Sequence, residues 1–337
     1  MNEITYEGAL RLDDPIFIDV RAPCEFILDH IPGSINMPIF DDKERSEIGK
    51  VYRFKGKEDA IIKGSEIAGL KIGNFISNIY KYWERDIVIG CFRGGMRSTT
   101  MVSLFMALGL NVYKLTDGYK GYRKYVNLKL PNIEIKPQVF VLHGLTGTGK
   151  TEIIRRIENS VDLEGLAGHR SSVFGGIGLN QRTQKMFESL LFNKINEHQD
   201  REYIVMEGES RKIGNLHIPK KIHNIIQDSH PILINASIQR RVEILLKEYT
   251  GNIDAQEIII IVESLESRIG KKNVKILIEL FQKGELFDFT RMLLEKYYDP
   301  LYKYSIGKIK YIDEIENNDN DLASEVVKKV ISEFLKG

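Results

Sequence analysis

The sequence predicts an α/β protein with two parallel-sheet domains in tandem, the second carrying a helical C-terminal extension. Three observations predict it. Short apolar runs alternate with helical patterns through residues 1–126, as strands joined by helical crossovers do. A second set opens with the run Val139-Phe140-Val141-Leu142, a glycine-rich turn and a helical stretch. Between them, residues 127–137 hold two prolines and few large apolar side chains, the composition of a linker. A chain of 337 residues suits two cores better than one, since domains usually run to roughly 100–200 residues.

In the first domain, 1–126, strands are expected at 16–19, 86–90 and 112–115, each a short apolar run bounded by polar or turn residues. Apolar spacing over 64–83 reads as helical, and 97–108 reads as a helix closed by Gly109. In the second, 138–337, the opening strand is followed by a helix expected over 151–158. Further buried strands are expected at 203–206 and 231–235, and 239–298 is mostly helical in pattern. No internal repeat or low-complexity tract interrupts this order.

Composition narrows the class. A hydrophobic share of 42% beside 28% charged residues is that of a chain that buries cores, not a disordered one. No apolar stretch nears the roughly 20 residues of a membrane span, and the start Met1-Asn2-Glu3 lacks the basic-then-apolar layout of a signal peptide. A cytoplasmic location with no membrane partner is the expectation. Cys24 and Cys91 are too few for a disulfide framework or a four-cysteine zinc site, so each should be a free thiol. Net charge is +1, with 18 basic and 17 acidic residues up to Val126 and 30 of each beyond it. RNA binding would therefore need a local basic patch rather than bulk charge.

Two loops carry chemistry. Gly144-Leu145-Thr146-Gly147-Thr148-Gly149-Lys150-Thr151 follows a strand and opens a helix, the context in which a P-loop cradles phosphate. Gly144, Gly147 and Gly149 let the backbone N–H groups curl inward, Lys150 supplies positive charge, and Thr151 can ligand Mg2+. Glu207, at the end of the 203–206 run, stands where a magnesium-associated acid often sits. The base-reading motif of a GTPase is incomplete, because Asn193-Lys194-Ile195-Asn196 lacks its aspartate. The phosphate could therefore belong to something other than a nucleotide.

The second loop, Cys91-Phe92-Arg93-Gly94-Gly95-Met96-Arg97-Ser98, lies between a buried strand and a helix. Helix-terminal N–H groups with Arg93 and Arg97 favour a thiolate, and Gly94 and Gly95 let the chain wrap an anion. An inert buried cysteine would call for none of these. Cysteine-dependent phosphatases use the same spacing from cysteine to arginine, but usually carry a histidine where Gly90 stands. Both readings share a thiolate facing an anion pocket.

Upstream, Ile18-Asp19-Val20-Arg21 and His30-Ile31-Pro32-Gly33-Ser34-Ile35-Asn36-Met37-Pro38, with the Cys91 loop, resemble a rhodanese domain. Joined to the P-loop, the chain resembles the tRNA 2-selenouridine synthases. The likeness runs on through Glu44-Arg45, Val51-Tyr52, Leu163-Glu164-Gly165-Leu166-Ala167, His169-Arg170, Phe174-Gly175, Gln184-Lys185, Glu209-Ser210-Arg211 and Tyr298-Asp299-Pro300, nearly the whole chain. Departures are Ser171 and Asp117, each in place of a glycine, and Gly208, where the family often has an acid.

The resemblance implies a rhodanese-like domain followed by a P-loop NTPase-like domain with a helical extension. It implies a transferase acting on wobble 2-thiouridine in tRNA, with selenophosphate as selenium donor, geranyl diphosphate as alkylating co-substrate, and no tightly bound cofactor. An enzyme that makes selenophosphate is then a conceivable partner. Cys91 would be the selenium-handling nucleophile, as a perselenide or by direct attack, with Arg93 and Arg97 holding the anion. The P-loop would hold the departing diphosphate. For tRNA the candidates are His169, Arg170, Arg182, Lys185, Arg211 and Lys212. Asp19 and Arg21 read as a structural ion pair, and His30 and Cys24 as bystanders. The competing classes are a phosphatase or sulfurtransferase fused to a nucleotide-binding module, and a non-catalytic regulatory fusion.

Overall fold

The computed structural model describes residues 1–249 and 254–337. The chain divides into two compact units, Met1–Asn132 with Glu188–Leu190, and Ile133–Phe187 with Leu191–Gly337. The helix Gly118–Lys129 and the turn of 3-10 helix Leu130–Asn132 occupy the first part of the expected linker, and the division falls after Asn132.

In the first unit, strands β1 (Glu3–Ile4), β2 (Ile16–Asp19), β3 (Ile35–Asn36), β4 (Ile87–Gly90) and β5 (Val112–Leu115) form one parallel sheet in the order β1-β5-β4-β2-β3. The three longer strands match the expected runs, and Ile18, Ile87, Ile89 and Val112 from them meet in one apolar core. The edge pairs β1 and β3 are too short to show a period. The stretch expected to be one helix from 64 to 83 is instead the end of Lys57–Gly69, then Ile72–Ile79 and a 3-10 turn at Tyr80–Tyr82. Helix Met96–Ala107 ends before Gly109, whose φ of 85° suits its position past the helix end. Asp19 and Arg21 form the expected buried pair at 2.5 Å, and Arg21 also donates to the Asp29 carbonyl at 2.6 Å. His30 stacks on Phe26 with centroids 4.1 Å apart, and Cys24 is exposed.

In the second unit, β6 (Gln138–His143), β7 (Ser160–Val161), β8 (Tyr203–Glu207), β11 (His230–Asn235) and β12 (Asp313–Glu316) make a parallel sheet in the order β12-β11-β6-β8-β7. A separate antiparallel pair joins β9 (Lys212–Ile213) to β10 (Leu216–His217). The helix after the glycine-rich loop is shorter than expected, Lys150–Ile154 rather than 151–158. Ser160 and Val161 are drawn into the sheet beside β8, so the chain must leave the helix early. Beyond β11, helices Ile238–Glu248, Ala255–Ser264, Lys271–Gln282 and Leu286–Leu293 gather around Val242, Val262, Leu277, Phe289 and Leu293. The expected helical stretch 239–298 is therefore found, except that its residues 250–253 lie outside the described residues. Among the described residues no helix is long and apolar enough to cross a membrane.

Candidate active site

Both chemical loops follow the C-terminal ends of central strands, β4 and β6, at points where the chain turns from one side of its sheet to the other. In open α/β sheets the ligand crevice lies at such points.

Cys91 directly follows β4 and is buried, with 4% of its surface exposed. Its Sγ accepts from the Gly95 N–H at 3.2 Å and lies 3.3 Å from the Ser98 hydroxyl. The same hydroxyl lies 3.0 Å from the Gly95 carbonyl, so its single proton goes either to that oxygen or to the sulfur. Gly94 has a φ of 63°, and a Cβ there would press to 3.0 Å from the Leu115 carbonyl, so the loop closes only with glycine. Burial alone would raise the thiol pKa. The Ser98 hydroxyl, backbone N–H groups around the loop and the Arg97 charge outweigh it, and the net effect holds Cys91 below the ordinary thiol value. Arg97 donates to Glu25 at 2.8 Å, which fixes its guanidinium beside the loop, while Arg93 is exposed with its guanidinium 5.8 Å from the Phe92 ring centre. Sequence reasoning gave Ser98 and Glu25 no role. The spacing of Ser98 from the thiol was a usable signal, whereas Glu25 comes from a distant helix.

Asp117 sits left-handed at φ 56°, the conformation a glycine would take most readily there, and aspartate is among the few other residues that tolerate it. Its carboxylate is held by Lys124 at 2.7 Å.

The phosphate loop is braced from behind. Arg241 donates to the Thr146 carbonyl at 2.9 Å and pairs with Asp299 at 2.5 Å, and Asn317 donates to the Thr148 carbonyl at 2.8 Å. Within the loop the Thr148 N–H donates to the Leu145 carbonyl at 3.3 Å, and a loop braced in this way presents its other N–H groups to an anion. Gly147 and Gly149 have φ values of 80° and 84°, and Gly144 stands at 155°. Lys150 holds its ammonium at the mouth through the carbonyls of Gly144, at 2.9 Å, and Leu145, at 3.1 Å.

Thr151 donates to Glu207 at 2.8 Å and lies 3.1 Å from a Glu164 oxygen. Burial, then the charges of Glu164, Asp162 and Glu209, push the Glu207 carboxyl well above the usual range. Half-buried Glu209 is pushed up to about 7, by burial and then by Glu164. A cation would relieve this crowding of carboxylates. Among the described residues no three His, Cys, Asp or Glu side chains converge as a metal site. Magnesium on a phosphate chain needs only one or two protein oxygens, and Thr151 and Glu207 supply such a pair. Gly208 is explained nearby, since a Cβ there would run into the His143 ring. Burial and then the Lys150 charge lower the His143 pKa to about 4, so the ring is neutral.

A pocket of about 430 Å³ opens over this loop, and against it lies a cavity of about 160 Å³ walled by Phe174, Phe281, Phe289 and Leu293. Thr146, Ser172, Leu245 and Tyr249 line both. The polar mouth and the apolar cavity are therefore neighbours with a shared wall.

The basic candidates fall into two groups. Arg170 lies over the Tyr249 ring at 4.7 Å and donates to the Glu248 carbonyl at 3.0 Å, and His169 is packed in the same loop with a buried Nδ1 that has no hydrogen-bond partner. Arg170 lines the pocket over the P-loop, and His169 does not. Arg182, Lys185, Arg211 and Lys212 have exposed side chains, although Arg182 also donates to the Gly165 carbonyl at 2.6 Å.

A parallel sheet presenting a cysteine loop, followed by a braced P-loop with a helical extension, defines a rhodanese-like domain joined to a P-loop domain. Residues 6–125 match the rhodanese-like domain family, and residues 137–332 match the tRNA 2-selenouridine synthase AAA domain. The chain belongs to the tRNA 2-selenouridine synthase family. A tRNA 2-selenouridine synthase from Hydrogenovibrio crunogenus is 32% identical over 86% of this chain and 89% of its own length. One from Pseudomonas syringae pv. syringae is 32% identical over 88% and 90%. Among solved structures, the N-terminal domain of a Clostridium difficile 630 protein described as ATP/GTP-binding is 43% identical. It covers 37% of this chain and 98% of that chain, at a TM-score of 0.36.

Proposed function

We propose that this protein converts wobble 2-thiouridine in tRNA to 2-selenouridine through an S-geranyl intermediate, with geranyl diphosphate and selenophosphate as co-substrates. The observation that carries the alkylation step is the adjacency of the P-loop pocket and the apolar cavity at Phe289, which share four wall residues. A nucleoside triphosphate calls for no such cavity, whereas an alkyl diphosphate needs a polar site and an apolar one side by side. By the cavity measure under which about 150 Å³ lined by aliphatic and aromatic side chains takes a benzene-sized guest, 160 Å³ suits part of a geranyl tail.

In the first half-reaction the thiouridine sulfur bonds to C1 of the geranyl group as the C–O bond to diphosphate breaks, and N3 loses its proton. Lys150 and the loop N–H groups stabilise the charge gathering on the diphosphate. Mg2+ held by Thr151 and Glu207 would add to that stabilisation. In the second, selenium replaces the alkylated sulfur, which departs as geranyl thiol, a far better leaving group than the original sulfur. Cys91, held below the ordinary thiol pKa with the Gly95 N–H and the Ser98 hydroxyl against its sulfur, handles the selenium donor, with Arg93 and Arg97 as anion holders. Exposed Arg182, Lys185, Arg211 and Lys212 are the candidates for holding tRNA phosphates, and an enzyme that makes selenophosphate is the natural supplier.

The test is mass spectrometry of nucleosides from 2-thiouridine tRNA incubated with the protein, geranyl diphosphate and selenophosphate. The expected products are S-geranyl-2-thiouridine, then 2-selenouridine. Selenouridine formed without geranyl diphosphate would refute the intermediate.

A further inference from the structure

The first unit contains a groove whose apolar part the chemistry above does not use. Helix Asp42–Lys55, capped by Asp41 through the Glu44 N–H at 2.8 Å, turns at Gly56 directly into helix Lys57–Gly69. Between this helical pair and the start of Met96–Ala107 lies a groove of about 790 Å³. Its floor is apolar, built from Phe40, Ile48, Ala60, Ile61, Ala68 and Met96. Every charged residue lining it is basic: Arg45, Arg53, Lys57 and Arg97. Glu25, which is not part of the lining, holds Arg97 at 2.8 Å and Arg45 at 3.5 Å.

Two features mark this groove as a binding surface. It leaves apolar side chains in water, with Tyr52 at 59%, Met96 at 53% and Ile61 at 39% exposure, around a concavity in the size range of small-molecule sites. It also lies near the thiol, since Arg97, which lines it, stands in the first turn of the helix that follows the Cys91 loop and its charge acts on Cys91. An apolar floor under a wholly basic rim fits a ligand that is greasy in one part and polyanionic around it. RNA alone supplies the anion and an uncharged lipid tail only the grease, while geranyl diphosphate, which supplies both, already has the P-loop pocket. An S-alkylated nucleotide within RNA supplies both.

We infer that this groove holds the geranyl group of S-geranylated tRNA during the selenium step, with the flanking phosphates on Arg45, Arg53 and Lys57. The inference rests on the alkylated-intermediate reading. In that step a C2–Se bond forms, the C2–S bond breaks, and its electron pair leaves on sulfur, which takes a proton from water to become geranyl thiol. Hydrolysis of the Se–P bond by a second water then gives phosphate and 2-selenouridine. The groove receives the departing thiol, keeping its tail out of water while the carbon–sulfur bond opens.

The experiment uses the full chain and two anticodon-hairpin RNAs that differ only in carrying S-geranyl- or S-methyl-2-thiouridine. Wild type should bind the geranyl form more tightly by on the order of 10-fold or more, since each buried methylene contributes several-fold. Ile61→Asp places a charge on the partly exposed floor and should abolish that preference, while Ile61→Leu should keep it. An aspartate repels phosphate in both RNAs alike, so the ratio of the two affinities isolates the tail, and an unchanged melting temperature secures the fold. A preference that survives Ile61→Asp, or none in wild type, overturns the groove. The alkylation reading fails separately, if wild type given geranyl diphosphate and 2-thiouridine RNA forms no S-geranyl nucleoside.

Discussion

Lys150→Ala should slow geranyl transfer by on the order of 100-fold. The ammonium sits at the loop mouth, tied to the Gly144 and Leu145 carbonyls at 2.9 and 3.1 Å, where it can swing onto a diphosphate without leaving the pocket. A unit charge about 4 Å from another contributes about 4 kcal/mol at an effective dielectric near 20. Because the pocket opens to water, roughly 2–3 kcal/mol of this is the working figure, and about 1.4 kcal/mol corresponds to tenfold in rate. The two carbonyls left behind line a wet pocket, so water replaces their donor at little cost to the fold. The assay is single-turnover formation of the S-geranyl nucleoside with saturating tRNA, with tRNA affinity measured separately so that weak binding is not read as slow chemistry. A fall of less than about threefold, with binding intact, would refute Lys150 as the charge opposing the diphosphate. So would a Lys150 variant that cannot convert ready-made S-geranyl tRNA to selenouridine, because that step does not involve diphosphate departure.

Three further outcomes follow from the same contacts. Ser98→Ala removes a hydroxyl 3.3 Å from the thiol, so the pH midpoint for Cys91 modification by iodoacetamide should lie below that of an ordinary thiol in wild type and move up in the variant; an unmoved midpoint would remove Ser98 from the account. Asp299→Ala leaves the Arg241 guanidinium, 4% exposed, without its carboxylate and should cost roughly 3 kcal/mol of stability, read as a clear fall in the unfolding midpoint in urea. Binding of tRNA should weaken steeply with salt, and Arg211→Ala with Lys212→Ala should each flatten the slope by about one, as expected of single phosphate contacts; a flat wild-type response would count against both.

Much of this was legible in the sequence. Strands β2 and β5 and the two functional loops were readable because each rests on a local pattern, an apolar run or glycines at fixed spacing. What was not legible depends on distant partners. Arg97 meets Glu25 and the P-loop leans on Arg241 and Asn317, pairings no local spacing announces. The Asp299 of the Tyr-Asp-Pro motif acquires its meaning only through Arg241. The helix after the P-loop was overextended because nothing local tells that Ser160 and Val161 will pair with β8. The apolar cavity at Phe289 could not be read either, since its wall is assembled from Thr146 of the P-loop, the loop at Ser172 and Phe174, and four separate stretches of the helical extension. Asp117 shows the opposite case, in which a departure from the family pattern kept its glycine-like backbone and added a salt bridge.

The central claim is that the two loops carry separate half-reactions, and Cys91→Ser tests it most directly. The variant, given 2-thiouridine tRNA, geranyl diphosphate and selenophosphate together, should form S-geranyl-2-thiouridine at close to the wild-type rate and stop there, so that the geranylated nucleoside accumulates and 2-selenouridine is absent from the mass spectrum. Loss of geranylation in this variant while tRNA binding is preserved, or normal formation of 2-selenouridine, would contradict the division of labour.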